Sequence, residues 1–301
     1  MNNVLVLLYH RVGEVENDIF DISVSSENFD KQMRYLSENY YVTKFDNDWS
    51  QIEKDAIVIT FDDGYEDNYI NAVPILEKYS IPATFFVSTS NIGSSREYWW
   101  DEIIDNCIAE NGKNSFRLKD DIFEYTWDTS NYASRIEMGL SIRQLLRREA
   151  SGSIRDYWLK QLQDWSGRSD IGNAKNYSMN EEQIRIIAEK SLFTIGGHTV
   201  THRSLGALNY KEQYKECKES IDMLKHIIGR QVDVFSYPFG GANDYNSETI
   251  TIMKKLGVKK AATTKQEVYR NGNLFEIPRV AVKNIGLEEF CVLLSSFGDQ
   301  L

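Results

Sequence analysis

The sequence predicts an α/β fold built on a parallel sheet, and two observations carry that prediction. Strand-sized runs such as Val4–Tyr9 and Ala56–Phe61 are apolar throughout, the pattern of strands covered on both faces. Between such runs lie segments whose apolar residues recur at helical spacing, and strand alternating with helix is the signature of parallel α/β architecture.

Taken in order, the first run, Val4–Tyr9, stops at His10-Arg11. Ser26 is placed to cap a helix that sets Phe29, Met33 and Leu36 on one face. The second strand, Ala56–Phe61, ends abruptly in Asp62-Asp63-Gly64. Val73, Leu76 and Tyr79 predict a helix, and Ala83–Val87 a third strand. From about residue 93 to 178 the rhythm changes: helical segments at 100–109 and 136–162 flank a stretch, 116–127, that alternates like a hairpin. We read this as an insertion in a single domain spanning residues 1–301. It holds five of the six tryptophans, Trp99, Trp100, Trp127, Trp158 and Trp165, for which a satellite core competes with a sugar-stacking platform. The alternation then resumes, with a helix at Glu181–Glu189, a strand at 192–195 before the flexible pair Gly196-Gly197, and a helix at 211–228. A strand at 232–236, a helix at 247–256, short strands at 260–263 and 276–282 and a helix from Leu287 complete the chain.

Composition narrows the function. A formal net charge of −11 disfavours nucleic acid, whose affinity for proteins comes largely from cationic side chains. At 42% hydrophobic and 26% charged residues, the chain is composed like a soluble globular protein. No apolar run approaches the roughly 18 residues of a membrane helix, and Met1-Asn2-Asn3 lacks the basic start of a secretory signal, so a cytoplasmic location is expected. Cys107, Cys217 and Cys291 are widely spaced, without a C-x-x-C pair, and are expected to be buried structural thiols.

Functional groups of α/β proteins gather at the carboxyl ends of parallel strands, and three polar features fall there. Asp62-Asp63-Gly64 is good turn material, yet two adjacent carboxylates are not needed to fold a turn. His198-Thr199-Val200-Thr201-His202 spaces two of the four histidines so that both imidazoles can meet one metal. With Asp63 they make the ligand set of a catalytic zinc site, and equally that of a non-haem iron triad. Phe235-Ser236-Tyr237-Pro238-Phe239-Gly240-Gly241 runs from a strand into a turn that can aim backbone N–H groups at a developing oxyanion.

Together, Thr60-Phe61-Asp62-Asp63-Gly64, His198-Thr199-Val200-Thr201-His202 and Tyr237-Pro238-Phe239-Gly240 resemble the motifs of the NodB-type polysaccharide deacetylases, carbohydrate esterase family 4. The likeness covers roughly residues 1–92 and 179–285. It implies a distorted (β/α) barrel that removes N-acetyl groups from amino sugars, a carbohydrate substrate, and a divalent metal, with Zn2+ the first choice. By position, Asp62 is the general base, Asp63, His198 and His202 are metal ligands, and Tyr237, Pro238 and Phe239 line the oxyanion and substrate side. The chain departs from the family in carrying Ser236 where the third motif usually has Arg, and in lacking the fourth motif and the C-terminal catalytic His. A branch of the family takes its acid from an N-terminal Tyr-His, which Tyr9-His10-Arg11-Val12 resembles. By that resemblance His10 is the general acid, its proton favoured by a nearby carboxylate, and Arg279 in Ile277-Pro278-Arg279-Val280 replaces the missing Arg beside Asp62. His226, near the end of a long amphipathic helix, is read as structural.

Overall fold

The structure, a computed structural model, describes residues 3–15, 17–149, 151–169 and 172–297. Its strands in chain order are β1 (Val4–Tyr9), β2 (Arg11–Val12), β3 (Ser23–Val24), β4 (Val42–Thr43), β5 (Ala56–Phe61), β6 (Ala83–Val87), β7 (Ser115–Lys119), β8 (Glu124–Asp128), β9 (Phe193–Gly197), β10 (Val234–Ser236), β11 (Lys260–Ala262) and β12 (Val280–Ala281). The helices are α1 (Ser26–Asn39), α2 (Val73–Lys78), α3 (Trp99–Ile108), α4 (Tyr132–Arg148), α5 (Gly152–Ser166), α6 (Glu181–Glu189), α7 (Tyr210–Ile228), α8 (Ser247–Lys255) and α9 (Leu287–Ser296). The chain forms two compact units, one of residues 1–93 and 178–301, the other of residues 94–177.

In the first unit the all-apolar runs pair side by side as the sequence predicts. The sheet runs β11-β10-β9-β6-β5-β1-β12, with β4 added against β5, and every ladder in it is parallel. All six residues of β1 and of β5 are buried, which only a sheet covered on both faces allows. The two ends of this path approach each other through a single segment. Ile277 bridges to Ala262 on β11, and three residues further on Val280 pairs with Leu7 of β1. The seam closes the curled sheet into a distorted barrel with no helix between β11 and β12. Inside it, Val4, Val6, Val58, Phe86, Val234, Ala262 and Ile277 form one apolar cluster.

Gly196 and Gly197 are not a flexible hinge: they are the last two residues of β9, and both are buried. A Cβ on Gly196 would stand 2.4 Å from Cδ1 of Phe86, and one on Gly197 2.8 Å from Cδ2 of Phe235. Glycine is there because two aromatic rings occupy the space a side chain would need. Gly196→Ala should therefore destabilise the protein by about 1–3 kcal/mol through overpacking, read from the denaturant midpoint; an unchanged midpoint would show that Phe86 can move aside.

Smaller differences have local causes. The cap of α1 is Ser25, whose Oγ accepts from Asn28 N at 3.2 Å, while Phe29, Met33 and Leu36 are buried as their spacing predicts. A π-helical turn at 68–72 precedes α2, and there Asn68 Nδ2 donates to the His10 carbonyl at 2.7 Å. Cys107 and Cys217 are buried and burial pushes both thiols up, but Cys291 on α9 is only half-buried, so it does not fit the expectation of a buried thiol.

The second unit has a core of its own. The hairpin β7–β8 pairs antiparallel, Phe116 opposite Trp127, and packs with α3, α4 and α5 around Ile103, Cys107, Met138, Ile142 and Leu162. Trp158 and Trp165 are buried in this cluster, and Trp99 and Trp127 pack against it. Trp158 donates Nε1–H to Asp120 and Trp165 to the Ser115 carbonyl, the pattern of rings used for packing. The single helix expected at 136–162 is two, because Ser151 ends the run and caps α5 by accepting from Ile154 N. Among the described residues, no helix is long and apolar enough to cross a membrane.

Candidate functional site

The polar residues singled out in the sequence meet at the carboxyl ends of β1, β5, β9 and β10 and on the seam segment. Asp62 and Asp63 follow β5, His198 follows β9, and Ser236 ends β10. Asp62, Asp63, His198 and His202 are buried, and Arg279 has no exposed surface at all.

Asp63, His198 and His202 each present one donor atom to a common point, the three lying within 4.8 Å of one another. Asp63 Oδ1 is 3.5 Å from His198 Nε2 and 3.4 Å from His202 Nε2. Those distances are long for direct hydrogen bonds. They match the edges, about 3.3–3.6 Å, of a tetrahedron whose centre is bonded at about 2.0–2.2 Å to nitrogen and carboxylate oxygen. His198 turns its other nitrogen, Nδ1, to the Ser236 carbonyl at 2.7 Å, the backing that fixes an imidazole with Nε2 free to ligate. Burial pushes the Asp63 carboxyl up, but His198, His202 and His10 outweigh it and hold it below its usual range. Burial lowers His198, yet Asp62 and Asp63 more than offset this and raise it. The cluster attracts positive charge, and the donor set fits a divalent ion with a position open to solvent or substrate.

The two histidines reach that point from a loop, not from a helix. Thr199 and His202 have φ of 64° and 51°, Asp63 has 72° and Phe239 has 62°. Left-handed backbone is unfavourable for such residues and persists only where the surroundings impose it. Four of the seven described non-glycine residues with positive φ are these, so the strain is concentrated at the site. Thr199 Oγ1 closes the loop by accepting from His202 N at 3.0 Å.

Beside the cluster, Asp62 is gripped by a fork. Arg279 donates from Nη1 to Oδ1 at 2.7 Å and from Nη2 to Oδ2 at 2.6 Å. Its remaining donors go to the Thr263 carbonyl, Thr60 Oγ1 and Ser236 Oγ, and Ser236 Oγ in turn donates to Asp62 Oδ2 at 3.1 Å. Burial alone would raise the Asp62 carboxyl, but the Arg279 guanidinium, with His198 and His10, holds it far below the usual carboxylate range. The position that carries Ser in place of the family's Arg thus belongs to a hydroxyl that joins a guanidinium arriving from the seam.

His10, between β1 and β2, is half-buried, and both Asp62 and Asp63 act on it electrostatically. Burial nevertheless dominates and lowers its pKa, with Arg279 and His198 adding to the effect. The carboxylates do favour the imidazolium, as expected, but desolvation of the charged ring outweighs their attraction. Tyr237 is turned away from such chemistry. Its N–H donates to the Ala262 carbonyl, its hydroxyl to the Phe275 carbonyl, and its ring stacks on Tyr245 at 4.5 Å. Phe239 lies with its ring 4.8 Å from that of His202, in a turn fixed by Thr264 Oγ1 donating to its carbonyl.

Asp244 escaped the sequence reading. Its Oδ1 accepts from Ser204 Oγ, two residues beyond His202, and its Oδ2 from Gly241 N, two beyond Phe239. It ties the two loops together, and an Asp three residues after Gly241 was the available turn signal.

With this geometry the comparisons with known proteins agree. The polysaccharide deacetylase family model matches residues 50–116 and 171–261. YxkH of Bacillus subtilis (strain 168), named as a polysaccharide deacetylase, is 21% identical over 285 residues, 92% of this chain and 70% of its own. The poly-beta-1,6-N-acetyl-D-glucosamine N-deacetylase of Staphylococcus aureus (strain MSSA476) is 32% identical over 132 residues, 36% of this chain and 44% of that protein, so the match spans less than half of the relative. Among solved structures, the Streptococcus pyogenes deacetylase PplD in complex with acetate superposes with a TM-score of 0.61 at 19% identity, covering 97% of each chain. IcaB from Ammonifex degensii gives 0.59 at 19% identity, covering 94% of this chain and 93% of its own. Both share the fold.

Proposed function

The chain belongs to the polysaccharide deacetylase family, and from that premise we propose that it is a metal-dependent hydrolase removing N-acetyl groups from amino sugars of an oligo- or polysaccharide. The observation that carries the reading is the convergence of one donor atom each from Asp63, His198 and His202 directly beside the Asp62–Arg279 pair. A divalent ion held there, Zn2+ first among candidates, would supply Lewis acidity toward the acetyl carbonyl and lower the pKa of water.

The chain's own groups do the rest. Asp62, kept ionised and oriented by Arg279, takes the proton of the attacking water at Oδ2, the oxygen 3.9 Å from His198 Nε2. The N–H of Phe239 donates to the oxyanion of the tetrahedral intermediate. His10 delivers a proton to the departing nitrogen, without which an amide anion would have to leave. Although Ser236 stands where the third motif usually has Arg, Asp62 has a guanidinium partner in Arg279. The substrate for which the staphylococcal relative is named, poly-β-1,6-linked N-acetylglucosamine, is the first to try.

Acetate release from N-acetylglucosamine oligomers should require one bound divalent ion per chain, stop on chelation and return when metal is restored. His202→Ala should lose both metal and turnover. Full turnover by a metal-free protein, or an unimpaired His202→Ala, would overturn the reading.

A further inference from the structure

The loop that carries both histidine ligands is gripped at residues 200 and 201 by a carboxylate outside the metal site. Glu216 lies on α7 among Gln213, Cys217, Ser220 and Ile221, the stripe of that helix that is buried. Its Oε2 accepts from the backbone N–H of Val200 at 3.0 Å and of Thr201 at 2.9 Å, and its Oε1 accepts from Thr201 Oγ1 at 2.7 Å. On the other side of the loop, Thr89 N donates to the Thr199 carbonyl and Ser90 N to the Val200 carbonyl. The two residues that Glu216 grips are those between Thr199 and His202, the positions forced into left-handed backbone.

We propose that Glu216 is a positioning residue: it clamps residues 200–201 so that His198 and His202 aim both Nε2 atoms at one metal ion. Left-handed residues of this kind are retained only where neighbouring structure over-determines them. Two backbone N–H bonds and one hydroxyl bond converging on a single carboxyl group fix both residues of the turn at once. Without them the loop relaxes toward ordinary φ, and the His202 ring leaves the position from which it stands 3.4 Å from Asp63. The position is sequence-readable only as a charge on the buried stripe of a helix, where a carboxylate needs partners.

The inference rests on the proposed metal site, so its test reads metal binding directly. Apo protein titrated with Co2+ reports both affinity and, through its visible absorption, ligand geometry. Glu216→Ala should fold, with an apo Tm that locates the folded range, yet bind Co2+ about 10–100-fold more weakly, the usual loss when a group supporting a ligand is removed, with an altered spectrum. Glu216→Asp, which keeps the charge but cannot reach both N–H groups, should weaken binding in the same direction and serves if Glu216→Ala does not fold. Glu216→Gln can accept from both N–H groups and donate to Thr201 Oγ1, so it should restore affinity to within a few fold. Wild-type affinity and spectrum in Glu216→Ala, or in Glu216→Asp where the former is unfolded, would overturn the positioning role while leaving the metal site standing. Failure of the wild-type protein itself to bind one equivalent of Co2+ would overturn both.

Discussion

Asp62→Asn should leave one equivalent of metal in place while lowering kcat by about two to four orders of magnitude, the loss expected for a general base. Asp63→Asn should do the reverse, weakening metal affinity first and turnover in consequence. The side chains are identical and adjacent, and their surroundings separate them. Asp63 Oδ1 faces two imidazole nitrogens, whereas both oxygens of Asp62 face a guanidinium. An amide at position 62 also leaves Arg279 buried without a counter-charge, which costs about 3–5 kcal/mol for a broken buried pair. Rates must therefore be taken well below the variant's unfolding transition and expressed per bound metal. If Asp62→Asn loses its metal and Asp63→Asn keeps it, the two assignments are exchanged.

His10→Ala should retain fold and metal and lose most of kcat. The pH dependence supplies a sharper reading. Burial lowers the His10 pKa below its ordinary value of 6.5 in spite of Asp63 and Asp62. The protonated acid is therefore depleted as pH rises through that lowered value, and kcat/KM, which reports the free enzyme, should fall on its alkaline side. The same linkage makes the neutral His10 imidazole contribute stability that is present above the unfolded pKa and lost as pH falls through the folded one. In His10→Ala the alkaline fall in kcat/KM should vanish. A variant with near-normal kcat and an unchanged profile would remove His10 from the mechanism.

Much of this was legible because burial on both faces writes itself into the sequence. The β1, β5 and β6 runs have the bounds read from their apolar residues, and Asp62, Asp63 and the two histidines stood out by ending such runs. What was not legible depended on partners far away in the chain. Glycine at 196 and 197 signals freedom to a reader of sequence, whereas the rings of Phe86 and Phe235 turn it into a packing requirement. The lowered His10 pKa depends on how deeply the fold encloses the ring, and no local pattern encodes that. The use of Tyr237 for packing is set by Phe275 and Tyr245. The break between α4 and α5 was written locally, in Ser151-Gly152-Ser153, where a cap signal was overridden by the periodicity around it.

The seam between β11 and β1 has a consequence for the order in which the molecule is completed. Arg279 sits 217 residues from Asp62 along the chain, and its seat is made by the same few residues that bridge Ala262 and pair with Leu7. Contacts so distant in sequence close late, because their loop entropy has to be overcome before they give anything back. Asp62 has its counter-ion only where residues 277–281 are in place, so the segment that shuts the barrel is also the one that neutralises the carboxylate. A polypeptide stopped before Pro278 would lose closure and charge balance in one stroke. A competent Asp62 and a closed sheet thus depend on the same short C-terminal stretch.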